Sequence, residues 1–600
     1  MRKILISSIL LLVIGFTSCT KTWLDVNKNL DAPDWVNPIL RLAPVLASFE
    51  STAWDMRAIG PLVEYFGGPG GTTYPFGTTF GVNHSYFTGR DEAGECWKMC
   101  YFSQGMNNEN IITDGRNMGQ YRLAGIGLAV KAYSWHTIAS LHGDIPVKDA
   151  FVPGLLSHSY DTQEYAFSMA RKWAYQAIAE FEKTDNTVYP AMISTADLIY
   201  KGDAAKWKKF AYAVLAKNFI TMSKKNAAYL DSAIICADKS FASAADDPFM
   251  TVQATGVSAT SNFFGVLRAN LTNTFGPSDY IAQVLTGNIP NYNNSGAIEG
   301  LSAYQMVTDT ATLDPRAILL LGTLDTMQVD QNNIKKGTYK FTGTKLNNTV
   351  ACTFWGSTAT PTVATSGTGR WLYRDDAPWP LSSYAEIQFI KAEALYLKGQ
   401  KSAALDAFKL AVSGHMDFVK KLIVPGTIVK TGTKQTSVIG DKITAARFTT
   451  LATAYLNSKF VNNLPLADFT LSHIMMQKYV ALFPWSLDTW NDMRRYHYDL
   501  ILGTGGIPVT GTSWTNDIVY HKADADPARV YKGFFLPPAD VINRRLKFVT
   551  VNLGSPAYRL RPRYNSEYMW NLPSLKTLLP IAGDAENYMT SMVWFTIPGN

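Results

Sequence analysis

Apolar side chains at helical spacing recur along most of this 600-residue chain, and that period limits the fold more than any other feature. Trp207, Phe210, Ala211, Val214 and Leu215 fall at i, i+3, i+4, i+7 and i+8, which is one face of an α-helix. Met169, Trp173, Ala177 and Phe181 repeat every four residues, Met475, Tyr479, Leu482 and Phe483 make a third stripe, and residues 384–398 a fourth. Strand-like alternation is confined to short pieces around 347–355 and 507–520. The expected fold class is therefore mainly α.

Residues 395–412 (LYLKGQKSAALDAFKLAV) carry a tighter pattern. Gly399, Ala404, Phe408 and Ala411 match a tetratricopeptide-like hairpin, in which Gly lets two helices approach at their turn and the Ala and aromatic positions interlock.

The N-terminus bears on location. Arg2 and Lys3 precede an apolar run over residues 4–16. Thirteen helical residues rise only about 20 Å, too little for a hydrocarbon core of about 30 Å, so the segment reads as a secretory signal. Phe16-Thr17-Ser18-Cys19 resembles a bacterial lipobox, with Phe16 in the place of the usual Leu. Cleavage before Cys19 and acylation of its thiol would anchor the chain without spanning the membrane. Residues 1–18 are thus expected to be a lipoprotein signal, and residues 19–600 a single domain with loop-rich insertions near 67–90 and 331–380. Beyond residue 18 no stretch approaches eighteen consecutive apolar residues.

The formal net charge of +7 falls to +5 once Arg2 and Lys3 leave, and no basic run exceeds a pair such as Lys208-Lys209 or Lys420-Lys421. Nucleic acid is excluded as a partner on that ground. Apart from Cys19, the scattered Cys96, Cys100, Cys236 and Cys352 do not make a disulfide framework, and Cys96 and Cys100, four apart, read as buried free thiols. No HExxH or GxSxG motif occurs. Gly426-TIVKT-Gly432-Thr433-Lys434 and Gly337-TYKFT-Gly343-Thr344-Lys345 echo a phosphate loop, but each has five residues between its glycines where that loop needs four. His136 and His142 are spaced wrongly for two ligands on one helical face, and the pair Asp91 and Glu95 reads as solvated charge. The chain is expected to be no enzyme and to need no cofactor or metal.

Several motifs share an order along nearly the whole chain. Cys19 is followed by Trp23-Leu24-Asp25 and Asn27, then Gly143-Asp144-Ile145-Pro146 and Tyr160-Asp161-Thr162-Gln163. Gly202, Asp203, Trp207 and Phe210 follow, then Asp314-Pro315-Arg316 and Ala392-Glu393-Ala394. Gln477, Lys478, Trp490, Arg494 and Arg495 come next, with Arg563-Tyr564 and Glu567 to Asn571 last. In this order the sequence resembles the SusD/RagB family of outer-membrane nutrient-binding lipoproteins, and within it the SusD-like branch built from TPR-type helix pairs. These positions have plain structural roles: a turn stiffened by Pro146, core packing for Trp207 and Trp490, and Arg494 and Arg495 on carboxylates or helix C-termini. They are expected to build the scaffold.

The resemblance implies a lipid-anchored receptor at the outer membrane, facing the cell exterior, that captures an oligosaccharide for a SusC-like TonB-dependent transporter. Sugars offer an apolar C–H face and a rim of hydroxyls, so exposed loop aromatics flanked by amides are the expected contacts. Residues 67–90 supply Tyr74, Phe76, Tyr86 and Phe87, with Asn83 and His84 beside them. GNIPNYNNSG supplies Asn291 and Tyr292, and the third group is Trp355, Trp371 and Tyr373. Residues 331–370, 424–442 and 503–516 read as further loop-rich tracts. Peptide capture within the same family, or a structural lid on the transporter without its own ligand, are the alternatives.

Overall fold

Helices begin where short polar side chains can cap them. The computed structural model describes residues 35–67, 93–186, 189–253, 314–320, 371–431, 434–439, 443–499, 557–578 and 585–599, with short pieces between 260 and 285, at 441, at 503–504 and between 530 and 534. The principal helices are α1 (Leu42–Ala47), α2 (Ser51–Ile59), α3 (Glu95–Lys98), α4 (Gly105–Asn117), α5 (Tyr121–His142), α6 (Gln163–Phe181), α7 (Ala204–Thr221) and α8 (Ala228–Lys239). They continue as α9 (Tyr384–Leu397), α10 (Lys401–Lys421), α11 (Ala445–Leu456), α12 (Leu471–Leu482) and α13 (Ser486–Arg495). Thr162, Asp203, Ser383 and Thr444 each accept a backbone N–H at the start of α6, α7, α9 and α11, which satisfies donors that a helix start leaves open.

The long helices pack as successive pairs, α5 on α6, α7 on α8 and α9 on α10, and α6 lies on α7 as α8 lies on α9. This is the TPR-like arrangement anticipated from the sequence. In α9 and α10, Ala404, Phe408 and Ala411 are fully buried, and the Phe389 and Phe408 rings meet at 6.3 Å. Gly399 has a different role from the one expected. A Cβ there would meet nothing within 4 Å, and the residue sits at φ +76°. Glycine is needed for the left-handed turn, not for close approach.

Three two-stranded antiparallel sheets complete the described residues: β1 (Phe66–Gly67) with β3 (Gly276–Pro277), β2 (Phe249–Met250) with β4 (Trp379–Pro380), and β5 (Thr427–Thr431) with β6 (Lys434–Ile439). The last pair corrects the reading of 424–442 as loop. Its β-branched Thr, Ile and Val suit a hairpin, and the phosphate-loop echo at Gly426 enters a strand. The strand-like pieces at 347–355 and 507–520 lie outside the described residues.

Among the shared motifs, the turn at Gly143, Trp207 and Arg494 build scaffold. Gly143 ends α5 at φ +87°, the Asp144 carboxylate accepts the Gln163 N–H at 2.8 Å, and Ile145 and Asp161 exchange backbone hydrogen bonds at 3.0 Å. The turn thereby ties the end of α5 to the start of α6. Trp207 is fully buried and donates its indole N–H to Asp197 at 2.7 Å. Arg494 lies 3.7 Å from the centre of the Trp490 ring and donates to the carbonyls of Ser140, in the last turn of α5, and Tyr558 at 2.9 and 2.7 Å.

Two buried ionic clusters join the helices. Lys217 of α7 lies 2.9 Å from Glu386 of α9 and 2.9 Å from Asp488 of α13. Burial pushes the Asp488 carboxyl up to about 6 although Lys217 opposes it. Lys478 and Arg495 share Glu393 and Asp492, at 2.6–3.4 Å. Around both runs one apolar cluster from Ile39 to Phe595. Cys96 and Cys100 are buried free thiols, as expected, and Cys236 is buried and free as well. Among the described residues, no helix is long and apolar enough to cross a membrane.

Candidate functional site

Of the side chains expected to touch ligand, Tyr74, Phe76, Asn83, His84, Tyr86, Phe87, Asn291, Tyr292 and Trp355 lie outside the described residues, as does Cys19. Trp371 and Tyr373 are described, and both are 0% exposed. The Trp371 indole donates to the Val419 carbonyl at 3.0 Å, its backbone N–H donates to Asp441 at 2.9 Å, and the Tyr373 hydroxyl faces the Leu320 carbonyl at 3.4 Å. These rings pack the core and present no open face to a sugar, which corrects the expectation for the two.

An open cleft of about 480 Å³ lies elsewhere. One wall is Trp97 and Lys98 of α3 with Tyr101 and Phe102, the second is Pro146, Ala150 and His158 from the connection between α5 and α6, and the third is Arg563, Ser566 and Glu567. After α3 the chain widens into a π-turn over Met99–Gln104 before α4. Such widenings re-aim side chains and are frequent at functional positions. Here the turn carries Tyr101 and Phe102, and Phe102 is 77% exposed.

The rings under the cleft are locked by contacts. Trp97 meets His142 edge-on at 4.9 Å and Tyr101 at 5.0 Å. The Tyr101 hydroxyl donates to the Pro146 carbonyl at 2.6 Å. Glu567 accepts from the Tyr160 hydroxyl at 2.6 Å and from the Asn571 amide at 2.8 Å. His158 donates Nδ1–H to the Asp149 carbonyl at 2.8 Å. Glu95 lies 3.3 Å from Lys98 and 3.8 Å from Arg563 with its side chain partly exposed, and Asp91 lies outside the described residues.

Electrostatically the site is balanced: Lys98 and Arg563 face Glu95 and Glu567. Burial pushes the Tyr101 and Tyr160 phenols up, and the Glu567 carboxylate adds to the effect at Tyr160. Both hydroxyls therefore stay donors at neutral pH. Burial likewise holds the Cys96 and Cys100 thiols protonated. Among the described residues no group of His, Cys, Asp and Glu could hold a metal. The arrangement offers aromatic surface, hydroxyls and paired charges, which suits holding a neutral polar ligand.

His142, beneath Trp97, gives a test of this packing. Its Nδ1–H donates to the Arg561 carbonyl at 2.9 Å, and burial pushes its pKa down to about 4. An unfolded histidine titrates near 6.5. Between these values the unfolded chain takes up a proton that the folded chain refuses, so stability from this site is lost as pH falls from about 6.5 toward 4. Relative to a His142→Asn variant, the native chain should lose about 1.4 kcal/mol per pH unit across that window. Urea unfolding at pH 7, 5.5 and 4.5 measures it, and a constant difference would contradict it.

Sequence reasoning missed the cleft. CWKMCYF begins six residues after the aromatic tract ends at Arg90, and its Trp97, Tyr101 and Phe102 were a signal that went unused. Nothing in local spacing links them to Arg563 and Glu567.

The family model SusD-like_2, described as starch-binding and associating with the outer membrane, matches residues 71–513. A SusD/RagB family protein from Bacteroides thetaiotaomicron superposes with a TM-score of 0.58 at 18% identity, covering 94% of this chain and 100% of that one. A SusD homologue from Bacteroides fragilis gives 0.57 at 15% identity, covering 94% and 100%. A chitin-binding SusD homologue from Flavobacterium johnsoniae gives 0.52 at 14% identity, covering 93% and 97%. At these identities the structures share a fold with this chain. No curated protein matches the sequence.

Proposed function

Since the chain belongs to the SusD-like family, whose model matches residues 71–513, we propose that it is a surface receptor that binds an oligosaccharide and passes it to a SusC-like TonB-dependent transporter. The observation that carries the ligand class is the cleft itself. It is lined by Trp97, Tyr101 and Phe102, its charges are matched, and its size of about 480 Å³ fits a few sugar units. Starch binding by the family and chitin binding by the Flavobacterium johnsoniae relative support the same class. Tyr74, Phe76, Asn83, His84, Tyr86, Phe87, Asn291, Tyr292 and Trp355 belong to this reading as further ligand contacts.

Large apolar side chains around the cleft support a protein partner. Phe102, Leu156 and Trp570 are 77%, 92% and 75% exposed. Ser157 and His158 bond to Asn571, which brings the segments holding Leu156 and Trp570 together. Exposed patches of this kind mark interaction surfaces. Acylation at Cys19 would hold the receptor at the outer membrane beside the transporter, on the cell exterior.

Calorimetric titration of the purified chain against malto-oligosaccharides, chito-oligosaccharides and short peptides tests the reading. A glycan is expected to bind, and Phe102→Ala to weaken it about tenfold, the scale of one aromatic contact. Peptide binding without glycan binding would move the cargo to the alternative within the family. A folded chain that binds neither would leave the structural lid.

A further inference from the structure

A carboxylate sits buried behind the aromatic wall of the cleft. Asp55 of α2 is 1% exposed and belongs to the face that also buries Ala53, Met56 and Ile59. Its Oδ1 accepts the backbone N–H groups of Gly94 at 2.9 Å and Glu95 at 3.1 Å, and its Oδ2 accepts that of Cys96 at 2.8 Å. These three amides are the open donors at the start of α3. Gly94, the cap position, has no side chain to fill them, so a different helix supplies the cap.

The residues held this way lead directly into the cleft. Trp97, Lys98, Tyr101 and Phe102 follow within two turns. On the other side, a Cβ on Gly94 would come 3.1 Å from the Arg563 side chain, so the opposite wall rests on the same backbone. Arg563 also reaches Glu95 at 3.8 Å.

Resting on the reading of the cleft as the ligand site, we propose that Asp55 is its positioning residue: by gripping three consecutive amides of α3 it sets the distance between the wall bearing Tyr101 and Phe102 and the wall bearing Arg563 and Glu567. Asp55 does not touch ligand. A bound carboxylate on backbone N–H groups is a charge-assisted bond, stronger and shorter than a neutral one. Asp55→Asn keeps one oxygen but turns an NH₂ toward Cys96 N–H or toward the other two amides, so at least one bond becomes a donor facing a donor. A wall displaced by a fraction of an ångström loses contacts that a rigid site needs.

The test uses the purified full chain with three readings. Bismaleimide cross-linking of Phe102→Cys to Ser566→Cys reports the width of the cleft without any ligand, and its yield is expected to fall at least threefold when Asp55→Asn is added. Affinity for the glycan found by titration is expected to fall about tenfold in Asp55→Asn, measured in protein that still unfolds cooperatively in urea. Amide exchange in the native chain is the third: glycan should slow exchange at Gly94–Cys96, although those amides point at Asp55 and not at the cleft. An unchanged cross-linking yield or an unchanged affinity in folded Asp55→Asn overturns the proposal. If that variant does not fold, glycan that leaves exchange at Gly94–Cys96 untouched overturns it. A native chain that binds no glycan defeats the cleft reading instead, and the cross-linking result then judges Asp55 alone.

Discussion

A Glu393→Ala variant is expected to lose about 3–5 kcal/mol of stability, enough to unfold a marginal domain. Its carboxylate is fully buried and accepts from Arg495 at 2.7 Å, the Tyr496 hydroxyl at 2.7 Å and Lys478 at 3.4 Å. Asp492 is the second anion of the cluster, 2.7 Å from Lys478 and 2.6 Å from Arg495. Burial alone would push the Asp492 carboxyl up, but the two cations outweigh it and hold the group below its usual range. Alanine leaves two buried cations sharing one anion and a phenol without its acceptor. The penalty is that of an uncompensated charge, not the net value of one ion pair. Glu393→Gln, which can still accept from Tyr496, should lose less. Urea unfolding of the three proteins measures the order, and a loss under about 1 kcal/mol for alanine would contradict it.

Lys217→Met should cost a similar amount at pH 7, about 3–5 kcal/mol, and its cost should depend on pH. Without the ammonium, Glu386 and Asp488 face each other in a site where burial already pushes Asp488 up to about 6. The folded pKa of that carboxyl rises further above its unfolded value near 3.9. A raised carboxyl stabilises the fold below its unfolded pKa, and that contribution is lost as pH rises through the folded one. The deficit of the variant against the native chain is therefore expected to grow between pH 5 and pH 7.5. Equal deficits at the two values would mean that the carboxylates relax toward solvent when Lys217 is gone.

The sequence reading succeeded where the relevant physics is local. The stripe from Trp207 to Leu215 is a one-dimensional signal, and all five side chains are buried on α7. Failure began where two readings share one composition. The Thr-rich segment 427–439 suits a loop tract as well as a hairpin, and only cross-strand pairing decides it. Trp371 and Tyr373 follow a Gly- and Thr-rich run and so read as loop aromatics. Their burial depends on Val419, Asp441 and Leu320, which no spacing could reveal. The cleft is the extreme case, since Tyr160 and Glu567 meet across 407 residues.

That last separation also fixes an order of events. Leu560 donates to the Leu141 carbonyl at 2.8 Å, Tyr558 accepts from Arg494, and Phe595 meets Gln163, so the final segment is laid back over helices made long before it. Arg563 and Glu567 lie more than four hundred residues beyond Trp97, Tyr101 and His158. Arg563 and Glu567 arrive among the last. A product truncated before Arg563 has no complete cleft, so the finished site is a check that this distant segment is in place.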